Sequence, residues 1–102
     1  HREWVRWMFT LAVDAFRQRC LDSDRTIHFQ LFERYDLNHH DREVSYASLA
    51  AECGLEPATV NIYLAAARRD FRRIVLEKLR EITATDEEFR TEARSLLGVD
   101  VK

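Results

Sequence analysis

Glycine and proline are almost missing from this chain. Its 102 residues include two glycines, Gly54 and Gly98, and one proline, Pro57. Hairpin turns depend on residues that accept positive φ or preset a bend. So few of them leave little turn chemistry for hairpins and argue against a β-sandwich. Cysteine is equally scarce. Cys20 and Cys53 lie far apart, each in an apolar context, and read as reduced, packed thiols of a cytosolic protein. No apolar run approaches the ~20 residues of a membrane span, and no signal peptide precedes the first helical segment. The expected location is therefore cytoplasmic, with no membrane partner. Nor is there an excess of charge of one sign. The formal net charge is −2, so global charge makes no case for nucleic-acid binding. The chain begins with His1 rather than methionine and is expected to be a fragment of a longer protein.

What is present favours helices. Hydrophobic residues make up 46% and charged residues 33%, a balance that folds rather than stays disordered. The length suits one domain, residues 1–102. Residues 3–21 lack Gly and Pro and carry two adjoining stripes, Trp4, Met8, Leu11 and Ala15 beside Val5, Phe9, Ala12 and Phe16. Ser23 or Asp24 can cap a second helix through Ile27, Leu31, Phe32 and Tyr35. Residues 36–43 read as a polar loop. Ser45 can cap a third helix, Tyr46 to Cys53. Pro57 suits the first turn of a fourth, where its missing N–H costs nothing. Val60, Leu64, Ala67, Phe71 and Ile74, then Val75, Leu79 and Ile82, carry that helix to about residue 82. Thr85 and Glu88 form a capping box for a fifth, with Phe89, Ala93, Leu96 and Leu97 as its apolar face and Gly98 as its end. The expected fold is all-α, about five helices, the fourth unusually long.

The break between Gly54 and Pro57 calls for a reason. A turn this short holds two helices at a steep angle as one unit. Ala50 is small where the two would meet, Gly54 can take positive φ, Leu55 anchors the turn, and Val60 locks the second helix onto Leu49 and Cys53. This is the spacing of a helix-turn-helix over residues 46–65, whose second helix can enter a major groove.

The run VSYASLAAECGLEPATVNIYLAAARRDFRRIVLEKLRE resembles region four of bacterial RNA polymerase sigma factors, especially the extracytoplasmic-function type. The shared features are Tyr46, the triplet Ser48-Leu49-Ala50, Gly54, the pair Thr59-Val60, and the tail Ala67-Arg68-Arg69 through Phe71-Arg72. The preceding HFQLFERYDL is similar to the helix before the motif in that family. The resemblance covers roughly residues 27–75. It implies a domain that recognises a promoter −35 element and contacts the RNA polymerase core at its flap. An anti-sigma factor is a further candidate partner.

Within that frame, Asn61 is the best base reader, since its amide can pair bidentately with adenine. Ile62 can contact a thymine methyl. Thr59 and Tyr63 are placed for phosphates, and Arg68, Arg69, Arg72 and Arg73 form a basic cluster broken by Asp70. Glu56 is unfavourable near a phosphate path. The rest of the outward face is Pro57, Ala58 and Ala65, so the scaffold is better supported than strong affinity. Two alternatives stay open: a LuxR-type transcriptional regulator, and a helix-turn-helix interaction module that no longer reads DNA. Other chemistry is thin. His39, His40 and Asp41 lack the separated spacing of a zinc site. Asp36, Asp41 and Glu43 lack the glycine and terminal glutamate spacing of a calcium loop. No phosphate loop or activated nucleophile is found, so neither a cofactor nor enzyme activity is expected. The first helix is more apolar than one flank of a small bundle needs. Trp4, Trp7 and Phe9 are therefore candidate partner contacts, for a second copy of the chain or another protein.

Overall fold

A computed structural model describes residues 3–37 and 44–98. The zinc and calcium readings at His39, His40, Asp41 and Glu43 lie outside the described residues. Five α-helices follow in order: α1 (Glu3–Asp22), α2 (Thr26–Phe32), α3 (Tyr46–Cys53), α4 (Pro57–Ile82) and α5 (Asp86–Leu97). No strand occurs among the described residues.

The third and fourth helices take the bounds that their sequence sets. Ser45 caps α3 through a reciprocal pair in which the Ser48 N–H donates to Ser45 Oγ at 3.1 Å and the Ser45 N–H to Ser48 Oγ at 2.8 Å. At the other end Gly54 sits at φ +68, and both its N–H and that of Leu55 donate to the Ala50 carbonyl. A Cβ at Gly54 would meet nothing within 4 Å. The glycine is thus needed for its backbone conformation and not for space. Pro57 then opens α4.

Elsewhere the caps differ from expectation. Neither Ser23 nor Asp24 caps α2. Ser23 Oγ donates to the Arg19 carbonyl at 2.7 Å and Asp24 adopts φ +60, so both serve the end of α1. Arg25 stands at the start of α2 without a side-chain cap. The second helix does not give way to a loop at residue 36. It widens into a π-helical turn, Glu33–Leu37. Thr85 caps α5 as expected, accepting from the Glu88 N–H at 3.0 Å, but Glu88 Oε1 accepts from Ala84, one residue before the cap.

The fourth helix is the spine. Its 26 residues span about 39 Å at 1.5 Å per residue, against a longest molecular dimension of 46 Å. The other four helices all pack on it. Its buried stripe of Val60, Leu64, Ala67, Ile74, Val75 and Leu79 meets Met8, Ala12 and Phe16 of α1, Phe29, Leu31 and Phe32 of α2, Leu49 and Ala50 of α3, and Ala93 of α5 in one core. Phe16 is the hub of the aromatic contacts, with Phe29, Phe32 and Phe71 around it. The two cysteines are unpaired, Cys20 buried and Cys53 half-buried. Burial raises the Cys20 thiol pKa, which keeps it in the inert, protonated form.

Candidate nucleic-acid interface

Helical periodicity sorts the first half of α4 into three faces. Val60 and Leu64 are fully buried. Asn61, Ile62 and Ala65 are exposed, as are Arg69, Arg72 and Arg73 further along the same helix. Thr59, Tyr63 and Arg68 are half-buried on the flanks. The expected base readers therefore stand outward, one turn beyond Pro57, and three of the four arginines continue from them.

Arg68 differs from the other three. Its Nε and Nη2 donate to the two carboxylate oxygens of Asp36 at 2.8 and 2.9 Å. Its guanidinium also lies 5.7 Å from the centre of the Tyr35 ring. The hydrogen bonds to Asp36 raise its pKa above the usual arginine value, against the opposing effect of burial, and Tyr46 adds to the rise. Tyr35 packs in turn on Tyr46, ring centres 4.9 Å apart. Arg68 thus ties the π turn after α2 to the spine and to the start of α3. A second fork, Arg34 on Glu52 at 2.6 and 3.3 Å, ties the same turn to the end of α3.

Asp70, which interrupts the basic run in sequence, turns aside and pairs with Arg25 at 3.6 Å. This leaves Arg69, Arg72 and Arg73 as an exposed positive strip, with the Arg73 charge also acting on Glu77 one turn along the helix. Glu56, at the mouth of the same face, is exposed and caps nothing with its side chain.

Tyr63 stacks on His28, ring centres 4.2 Å apart and planes 21° apart. His28 Nδ1 is buried without a hydrogen-bond partner among the described residues. Burial, and after it the nearby Arg25, holds this histidine below the usual 6.5, with Asp70 opposing. A lowered pKa means that the unfolded chain takes up the proton first as pH falls. The stability that neutral His28 contributes is therefore complete above 6.5 and drains away as pH falls below it. Denaturant melts over a mildly acidic series should show wild type losing stability on acidification, with a shallower slope in His28→Phe. Parallel slopes for the two proteins would remove His28 as the source.

Among the three candidate partner contacts on α1, the core claims two in part. Phe9 is half-buried with its ring 6.2 Å from that of Phe71, and Trp4 is half-buried against the core. Trp7 stays 56% exposed. Periodicity alone did not separate it from its neighbours. Also missed was Asp36, which holds Arg68, because partners 32 positions apart leave no local sequence signal. Among the described residues no three His, Cys, Asp or Glu side chains group as metal ligands, and no helix is long and apolar enough to cross a membrane. Comparison of the chain with family models, curated proteins and solved structures finds no match in any of the three.

Proposed function

We propose that this chain is a helix-turn-helix domain that binds promoter DNA through the exposed face of α4, as region four of an alternative sigma factor does at the −35 element. It works in the cytoplasm, performs no catalysis and acts with RNA polymerase core. One observation carries the reading. The residues with base-reading and phosphate-holding chemistry, Asn61 and Ile62 followed by Arg69, Arg72 and Arg73, are exposed along one helix whose opposite face is fully buried. Asn61 and Ile62 suit an adenine beside a thymine. The arginines that follow suit the adjacent backbone.

Binding to a randomised DNA pool at low salt tests this. Asn61→Ala should cost ~1–3 kcal/mol at one base position and relax the preference there. Arg72→Ala should weaken binding to all sequences and make the salt slope shallower by about one unit. If wild type enriches no sequence and Asn61→Ala behaves as wild type does, promoter reading fails.

A second reading has its own observation. Ile62 is 63% exposed, the highest value among the exposed large apolar side chains. An apolar side chain so placed also suits a protein partner such as an anti-sigma factor, and an interaction module would keep the fold without reading DNA.

A further inference from the structure

Near its start α4 presents Ala58, Asn61, Ile62 and Ala65, all exposed. At about 100° per residue they share an arc of roughly 100°, and by helix rise they span about 10 Å of the axis. That is close to the ~12 Å width of a B-DNA major groove. Val60 and Leu64 behind them are fully buried, so the four side chains stand out as a fixed ridge. The first exposed cation on this helix is Arg69, about 12 Å of rise beyond Asn61 and so at the groove's edge.

Three of the four side chains are aliphatic, and Ile62 is 63% exposed. Base edges in the major groove are polar, with one exception. Guanine shows two acceptors, cytosine a donor and adenine one of each, whereas thymine adds a C5-methyl group to its acceptor. An aliphatic side chain laid on a G·C pair strips water from those polar groups and offers them no partner, a cost that a methyl contact avoids. Guanine is most often read by arginine or lysine, and the ridge has neither. Asn61 supplies an amide, with the chemistry for adenine N6 and N7. Each position of the ridge is thus matched to an A·T pair: methyl groups for the aliphatic side chains, an adenine edge for the amide.

We propose that α4 recognises DNA by its thymine methyl groups, with Ile62 as the main sensor, Ala58 and Ala65 beside it, and Asn61 on an adjacent adenine. The ligand is a run of about three A·T pairs, the length that a ridge of about 10 Å covers at ~3.4 Å per base step. This rests on the DNA-binding reading above and names what that face reads.

Deoxyuridine isolates the methyl group, because it keeps every pairing group of thymidine and lacks only that carbon. Three short duplexes share their flanks and differ in a central block: alternating A·T pairs, the same block with deoxyuridine for each thymidine, and alternating G·C pairs. Fluorescence anisotropy at low salt gives the affinity of the 102-residue chain for each. Wild type should bind the thymidine block about tenfold more tightly than the deoxyuridine block, since each buried methyl is worth about fourfold. The G·C block should be bound no better than the deoxyuridine block. Ile62→Ala should shrink the thymidine–deoxyuridine ratio by about fourfold, whereas Arg72→Ala should weaken all three complexes alike and leave the ratio unchanged. The comparison of thymidine with deoxyuridine uses unmutated protein and does not depend on how a variant folds. Saturable binding that is equal for those two blocks, or tighter on the G·C block, would overturn methyl reading and leave DNA binding standing. An unchanged ratio in Ile62→Ala would remove Ile62 as the sensor. No binding to any of the three duplexes would overturn both readings together.

Discussion

Phe16→Ala is expected to cost about 3–5 kcal/mol of folding stability, the range for removing a buried aromatic ring. Phe16 is 2% exposed. Its ring meets Phe29 edge-on at 5.8 Å, Phe32 edge-on at 5.3 Å and Phe71 at 5.8 Å. These neighbours belong to α2 and α4, so one side chain of α1 joins three helices. Offset and edge-on ring pairs add to the burial of the ring itself, and the cavity left by alanine is bounded by stiff rings that collapse poorly. A domain of this size has about 5–15 kcal/mol in total, so the variant should melt far earlier in urea. A loss below about 1 kcal/mol would show that the four rings do not hold the helices together.

Leu64→Ala is expected to cost about 2–5 kcal/mol and to act on the α3–α4 corner in particular. Leu64 and Val60 are fully buried, and Leu49 is 1% exposed across from them. Truncation would leave a gap where the corner packs, while Asn61 and Ile62 stay in place on the outer surface. The DNA-binding proposal then predicts a separable outcome. At a temperature where the variant is still folded, Leu64→Ala should bind DNA with the wild-type sequence preference, and binding should fail only as the protein melts. A changed preference in a fully folded Leu64→Ala would mean that the corner's packing sets the angle of the reading face. A stability loss below about 1 kcal/mol would mean that the corner is not packed around this side chain.

Much of this fold is legible from local chemistry. The bounds of α3 and α4 follow from Ser45, Gly54 and Pro57, each of which acts within its own turn of chain. The same logic fails between α1 and α2, where Ser23 and Asp24 are as suited to starting a helix as to ending one. In the structure the Arg19 carbonyl takes the Ser23 hydroxyl, and the next helix starts uncapped. The π turn at Glu33–Leu37 was illegible for another reason. Asp36 pairs with Arg68 from within that turn, and no local propensity encodes such a distant tie. The candidate interface shows the same division. Helical period alone placed Asn61 and Ile62 outward. It also grouped Arg68 with Arg69 and Arg72, yet Arg68 has a partner within the chain. Arg68→Ala should therefore lower stability by about 1–2 kcal/mol, a charged fork discounted for its partial exposure, more than it changes the salt slope of DNA binding.

All four other helices lean on α4, and this arrangement has a consequence for how the molecule can come apart. A bundle with one shared spine has no half that persists alone, since any break within α4 removes the partner of every other helix. Opening must therefore begin at the rim. The fifth helix is the natural first unit to release, because Ala93 is its one buried residue and it packs on α4, where Arg80 meets Phe89 and Asp86. Such peripheral units open at a lower free energy than the body that carries them. Release of α5 would leave the α3–α4 corner, held by the core at the other end of the spine, as it was.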